Sequence, residues 1–170
     1  LEESAPDWNL RQLRSCSPDS GVLFCAVVKS NAYGHGVAQM TSLLPSADWF
    51  AVNSLDEGLE LRELGVKKPI LLLGHVLLDR LPLAVDAGLR LTVYNTETLK
   101  RLAGIVNSRS RCRIHIKVET GTGRQGILPR EMGQFISLAR GIEGIDVEGV
   151  STHFANIEDA LNHQYAEDQL

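Results

Sequence analysis

VLFCAVVK, Val22 to Lys29, narrows most sharply what this chain can fold into. Seven apolar residues without polar alternation, several of them β-branched, read as a strand covered on both faces, which belongs in a parallel sheet. Shorter runs of similar character follow at DWFAVN (Asp48 to Asn53), PILLLG (Pro69 to Gly74), LRLTVYN (Leu89 to Asn95), CRIHIKV (Cys112 to Val118) and IDVEGVSTH (Ile145 to His153). Helical spacing fills the gaps. In SLDEGLELRELG, Leu55, Leu59 and Leu64 fall near one face and Gly65 serves as C-cap. TETLKRLAGIV follows with Thr96 as N-cap, and LPREMGQFISLARGI with Pro129 at a first helical position. A further helix, with Asn9 to Arg14 as its body, leads into the first strand. Strand then helix, six times over, predicts right-handed βαβ crossovers and leaves two architectures: an open doubly wound sheet or a closed (β/α)8 barrel.

Composition excludes several function classes. With 170 residues, 44% of them apolar, the chain can bury a substantial core. A formal net charge of -4, without a dense basic cluster, gives no reason to expect nucleic acid or an anionic membrane surface. No apolar run approaches a bilayer span, and LEESAPDWN has no secretory character, so the expected location is cytoplasmic. Cys16, Cys25 and Cys112 are odd in number and far apart, which argues for reduced thiols, with Cys25 in the core, and against a disulfide framework. His75, His115 and His163 lack metal-ligand spacing, and Phe24 and Trp49 read as core residues.

Two loops carry the chemistry. KVETGTGRQG, Lys117 to Gly126, contains Gly121, Gly123 and Gly126 in a Gly-x-Gly-x-x-Gly spacing, the signature of a dinucleotide cradle. Such a cradle needs its glycines in the first helical turn, whereas Pro129 places the helix start later. The glycines then form either a plain βα loop or a support that lets Arg124 hold a carboxylate or phenolate oxygen. Lys29 ends the first strand and runs into SNAYGHG. A strand-end lysine can simply snorkel to solvent; a desolvated one, with a lowered pKa, can condense with an aldehyde cofactor.

AVVKSNAYGHG closely resembles the pyridoxal-phosphate attachment motif of alanine racemases, Lys-x-Asn-Ala-Tyr-Gly-His-Gly at the end of the first barrel strand. KVETGTGRQG is similar to that family's Lys-x-Asp-Thr-Gly-Met-x-Arg-x-Gly loop. STHFANIED resembles its Ser/Thr-His-Phe-Ala segment, and AVNSLDEGLELRELG and PILLLG its second and third units. The resemblance covers almost everything after about Ser20. It implies a (β/α)8 TIM-type barrel with about six of its eight units present, so that residues 1–170 are a partial N-terminal barrel domain without the family's C-terminal β domain.

The resemblance also implies an activity: interconversion of L- and D-alanine with pyridoxal 5'-phosphate. Lys29 would carry the cofactor as a Schiff base and act as one of two proton-transfer bases. Tyr33 would bond the cofactor phosphate, where its plain alternative is a tyrosine capping the barrel rim. Arg124 would bind the substrate carboxylate and lie near the phenolic oxygen, and His153 would join the cofactor's hydrogen-bond network. Lys117 matches a lysine that is carbamylated in several family members; otherwise it is a strand-end lysine paired with Glu119. His35 would serve the loop's geometry. Thr122 stands where the family has methionine.

The second base, a tyrosine contributed across a homodimer interface, would lie beyond Leu170, as would the residues that choose alanine over serine. Taken alone, residues 1–170 are expected to bind the cofactor weakly and to racemise poorly or not at all. Three competing readings remain: an inactive racemase fragment; a non-catalytic barrel protein that carries or buffers pyridoxal phosphate, whose relatives typically lack the Asn-Ala-Tyr-Gly-His-Gly run; and a dinucleotide-dependent oxidoreductase resting on the glycine spacing alone.

Overall fold

The computed structural model describes residues 2–17, 19, 21–159 and 161–169. They form two compact units, Leu1–Arg90 and Leu91–Leu170. The first opens with helix α1 (Ala5–Ser15), longer at both ends than the spacing predicts. Two charged residues dock it. The Asp7 carboxylate accepts from the Ser46 amide at 2.9 Å, and Arg14 donates to Asp48 at 2.6 Å. Asp48 also accepts from the Phe24 amide at 2.7 Å, which fixes the entry into the first strand.

Strands β1 (Cys25–Val27), β2 (Trp49–Val52) and β3 (Ile70–Leu72) then run parallel, with Cys25 opposite Trp49 and Phe50 opposite Ile70. Between them stand a short turn α2 (Lys29–Tyr33), α3 (Val37–Ser42) and α4 (Leu55–Glu63), with α5 (Leu81–Asp86) after β3. Phe50, Val52, Ile70, Leu72, Leu61 and Leu81 make the buried core of this unit. Gly58 sits mid-helix in α4, a position where glycine is normally unfavourable. A Cβ there would come within 2.9 Å of both Leu72 and Leu89, so the glycine is what lets α4 lie close on the sheet.

β1 departs from the expectation of a strand covered on both faces. Only three residues are in the strand, and Cys25 and Val27 are exposed while Val28 is buried. The reason is topological: among the described residues β1 has a ladder partner on one side only, β2, and it lies at the end of the strand order. Apolar character in Val22 to Lys29 therefore does not by itself ensure burial: Val22, Leu23 and Val27 are exposed. Cys25 is not a core residue, and Phe24 and Trp49 are half-buried, each beneath a guanidinium, Arg14 at 4.8 Å and Arg90 at 5.1 Å from the ring centre.

The second unit holds β4 (Arg90–Val93), β5 (Cys112–Lys117) and β6 (Ile145–Ser151), again parallel in chain order. Its helices are α6 (Thr96–Ala103), α7 (Met132–Arg140) and α8 (Gln164–Asp168). Leu91, Val93, Leu99, Leu102, Ile114 and Ile116 fill its core. The N-cap of α6 is Asn95, not Thr96: Asn95 is extended and its side chain accepts from the Thr98 amide at 2.8 Å. Asparagine is favoured over threonine at an N-cap, where its side-chain oxygen takes up one of the free amides of the first turn. Pro129 opens a 3-10 turn, Pro129–Glu131, that feeds α7. No helix among the described residues is long and apolar enough to cross a membrane.

Candidate active site

In the first unit the chain leaves β1 through Val28, whose amide still pairs with Ala51 at 2.8 Å, and reaches Lys29. The next four residues, Ser30, Asn31, Ala32 and Tyr33, all have φ of 53 to 54°. A left-handed turn of four L-residues is unusual, since each such residue costs about 1–2 kcal/mol relative to the right-handed form. It persists only where its surroundings over-determine it. Those surroundings are visible. The Ala32 amide donates to Val28 at 2.9 Å, the Gly36 amide to the Asn31 carbonyl at 3.0 Å, and the Val37 amide to the Asn31 side chain at 2.7 Å. Glu57 accepts from the Ser30 amide.

The turn lifts Lys29 and Tyr33 onto one side of the strand end. The Lys29 Nζ lies 6.0 Å from the centre of the Tyr33 ring; the lysine is half-buried and the tyrosine 61% exposed. His35 is exposed, and its amide closes the turn on Ala32 at 3.1 Å, in keeping with a part in loop geometry.

The second unit carries the other candidates. Lys117 ends β5 and is only 8% exposed. Burial pushes its amine below the usual lysine range, the nearby Arg124 guanidinium adds to that, and Glu119 opposes both. Arg124 itself is exposed on the loop that follows. That loop closes on itself: Val118 bridges Ile127, with the Glu119 amide donating to Ile127 and the Ile127 amide to Lys117, both at 2.9 Å.

Inside the closed loop the Glu119 carboxylate accepts from the Gly121 amide at 2.6 Å, the Arg124 amide at 3.1 Å and the Thr122 hydroxyl at 3.1 Å. The Gly121 amide, then the Gly123 amide, pull its pKa down to about 2, against the opposing effect of burial, with further help from the Arg124 amide and the Thr122 hydroxyl. The amides that a dinucleotide phosphate would need are already taken by the chain's own carboxylate. Glu119 therefore belongs to the loop backbone, and among the described residues it acts on Lys117 through its charge.

This carboxylate makes the loop acid-sensitive. Its folded pKa lies below the ordinary glutamate value of 4.5, so the stabilisation is fully present above pH 4.5 and is lost as pH falls toward about 2. Amide exchange across residues 118–127, followed from pH 5 downward, is expected to show the loop opening over that window. Glu119→Gln should flatten this acid limb, and an unchanged limb in that variant would show that another group governs it.

His153 follows β6 and is exposed, and its carbonyl accepts from the Gln169 side chain at 3.2 Å. The same amide group donates to Thr120 at 2.7 Å, while the Gln169 oxygen accepts from the Ala155 amide at 2.9 Å. Thr120 and Thr152 share a hydroxyl contact at 2.5 Å. Gln169 thus ties the Arg124 loop to the His153 segment, and Tyr165 lies on Gly121, where a Cβ would run into its hydroxyl. Sequence reasoning missed these clamps. Ser54 and Glu57 did carry a readable signal, the Ser-x-x-Glu capping box; Gln169 and Tyr165 carried none.

The family described as alanine racemase, N-terminal domain, matches residues 2–170. The chain belongs to this family. The alanine racemase of Streptococcus gordonii is 38% identical over 168 residues, which are 98% of this chain and 45% of that protein. A crystal structure of alanine racemase from E. faecalis superposes with a TM-score of 0.90 at 34% identity, covering 98% of this chain and 46% of that one. A histidine racemase from Leuconostoc mesenteroides superposes at 0.89 with 29% identity, covering 98% and 45%. The chain thus spans less than half the length of the relatives it matches.

Membership in the alanine racemase N-terminal domain family decides between the two architectures left open: the fold is of the (β/α)8 barrel type, with six strand-helix units. The donor set also suits the family's cofactor. A half-buried amine beside an exposed phenol in one unit, and an exposed guanidinium beside a buried lysine of lowered pKa in the other, are groups that an aldehyde, a phosphate and a carboxylate require.

Proposed function

We propose that this chain is the cofactor-holding part of a pyridoxal-phosphate-dependent amino-acid racemase acting on alanine. Pyridoxal phosphate, when bound, supplies an aldehyde carbon for amines and an electron-withdrawing ring that acidifies the α-hydrogen of an amino acid. Lys29 Nζ would hold the cofactor, and its amine could take and return a proton at the α-carbon. The Tyr33 hydroxyl would donate to the cofactor phosphate. The Arg124 guanidinium would grip the substrate carboxylate, and His153 would join the hydrogen bonds around the cofactor.

Lys117, whose lowered pKa leaves more of its amine unprotonated, adds to carbon dioxide, releasing a proton and becoming an anion that orients Arg124. Inversion requires two bases on opposite faces of the α-carbon, of which the residues named here supply Lys29. Residues 1–170 act as a barrel domain within a homodimeric, cytoplasmic enzyme. Alanine as substrate rests on the family and its named relatives; a histidine racemase shares the architecture, so the barrel alone does not choose the side chain.

The observation that carries the reading is Lys29, half-buried at the end of β1 and followed at once by a strained left-handed turn in a chain that matches the family from residue 2 to 170. The test is direct. The chain is incubated with pyridoxal phosphate, reduced with borohydride and peptide-mapped, and deuterium uptake at the α-carbon of L- and D-alanine is followed. One adduct per chain, on Lys29, is expected. Adducts scattered over surface lysines, or none, would sink the reading.

A further inference from the structure

The capping box that starts α4 makes more bonds than a helix needs. In such a box the Glu at the third helical position has only to reach back to the N-cap amide. Glu57 does so: its Oε2 accepts from the Ser54 amide at 2.9 Å and the Asn53 amide at 2.8 Å, while Ser54 accepts from the Glu57 amide. The other oxygen, Oε1, turns away from the helix and accepts from the Ser30 amide at 2.5 Å, across 27 residues of chain. Ser30 directly follows Lys29 and is the first of the four left-handed residues.

The two ends of that turn are held differently. Downstream, the Asn31 side chain binds the Val37 amide and so holds the turn to α3. Upstream, beside Lys29, the side-chain anchor is Glu57, on a helix whose Leu55, Gly58 and Leu61 are buried against the sheet. An anchor on a packed helix moves little, and a charged acceptor forms the shorter, stronger class of hydrogen bond. Burial by itself would raise the Glu57 pKa, but the amides of Ser54, Ser30 and Asn53 outweigh it and bring the carboxyl below its ordinary range, so the acceptor is charged at neutral pH.

We propose that Glu57 is a positioning residue for Lys29: one carboxylate shared between the N-terminus of α4 and the Ser30 amide, setting the direction in which the lysine amine leaves β1. The assignment of its purpose rests on reading Lys29 as the cofactor lysine; the clamp itself does not.

Glu57→Gln separates the two duties, because its single carbonyl oxygen cannot serve both the helix amides and Ser30. Ser54→Ala is the complement: it removes the hydroxyl cap from α4 and leaves the Glu57 carboxylate free to hold Ser30. Three readouts on the 170-residue chain decide the matter: amide exchange of residues 29–36 against 55–64, acylation of Lys29 by a succinimidyl acetate relative to Lys67 and Lys100, and borohydride-trapped pyridoxal phosphate on Lys29.

In Glu57→Gln, protection of 29–36 is expected to fall about tenfold, the relative acylation of Lys29 to change, and half-occupancy to need about tenfold more cofactor. Ser54→Ala should loosen 55–64 and leave all three Lys29 readouts at wild-type values. Unchanged exchange of 29–36 in Glu57→Gln overturns the proposal whatever the cofactor does. So does a loosened turn with Lys29 acylation unchanged. If exchange and acylation both respond but even the wild-type chain forms no adduct on Lys29, the clamp stands and the cofactor reading falls.

Discussion

Lys29→Ala is expected to abolish the trapped pyridoxal-phosphate adduct and to lower α-hydrogen exchange of alanine by about 10³-fold or more, since the proposed function gives Lys29 both the covalent attachment and one proton-transfer base. Lys29→Arg should fare no better, because a guanidinium stays protonated and cannot attack an aldehyde. Stability should barely move. The lysine is only half-buried, and the contact recorded for its amine is the face of Tyr33, so a change within about 0.5 kcal/mol is expected. That separation is what makes the variant informative: an adduct of wild-type stoichiometry in Lys29→Ala, mapped to another residue, would remove Lys29 from the chemistry.

Gly126→Ala is expected to be the most damaging change of a single hydrogen for a methyl group in the Arg124 loop. Gly126 has φ +143°, which an L-residue rarely adopts, and an added Cβ would lie 2.4 Å from the Glu119 amide nitrogen and 2.7 Å from the Val118 carbonyl carbon. Those are backbone atoms of the very strand end that the loop folds back on, and they are held there by the Val118 and Ile127 bridge. Neither partner can rotate away. Relief requires opening the bridge, so a loss of at least about 3 kcal/mol is expected, together with exposure of residues 118–127 to amide exchange. Urea unfolding would measure the first and mass spectrometry the second. A Gly126→Ala protein as stable as the wild type would mean that the loop closes in some other way. The dinucleotide reading makes a different forecast, in which Gly121 and Gly123 matter through a bound phosphate; the occupied Glu119 cup leaves that phosphate no amides.

Much of this could be read from residue order. Each of the six strand-like runs contains a strand, and α4, α6 and α7 fall where their spacing puts them, because period and capping are local properties of a few neighbouring residues. The C-cap of α4 is Leu64, not Gly65; Gly65, with φ +83°, stands one residue beyond it in the left-handed conformation that ends the helix. The reading failed where burial was inferred from apolarity. Cys25 and Val27 are as apolar as any core strand residue, yet they are exposed, since burial depends on what stands over a face and not on the face itself.

Lys29, Tyr33, Lys117, Arg124 and His153 could be named from motifs because their chemistry and spacing are distinctive. What holds them in place could not. Glu57 reaches Ser30 across 27 positions, Gln169 reaches Thr120 across 49, and the left-handed run from Ser30 to Tyr33 contains no glycine to announce it. A residue such as Ser30 or Ala32 carries no local preference for that conformation, so the contacts around it must select it.

Sequence alone determined the alternation of strand and helix, the family resemblance, and the five side chains proposed for the site, all of which reside in short stretches. Tertiary structure decided which apolar residues are covered, which backbone amides the Glu57 and Glu119 carboxylates capture, and how Lys29 leaves its strand. Those outcomes are set by free energies of contact between distant segments, and no window of neighbouring residues contains them.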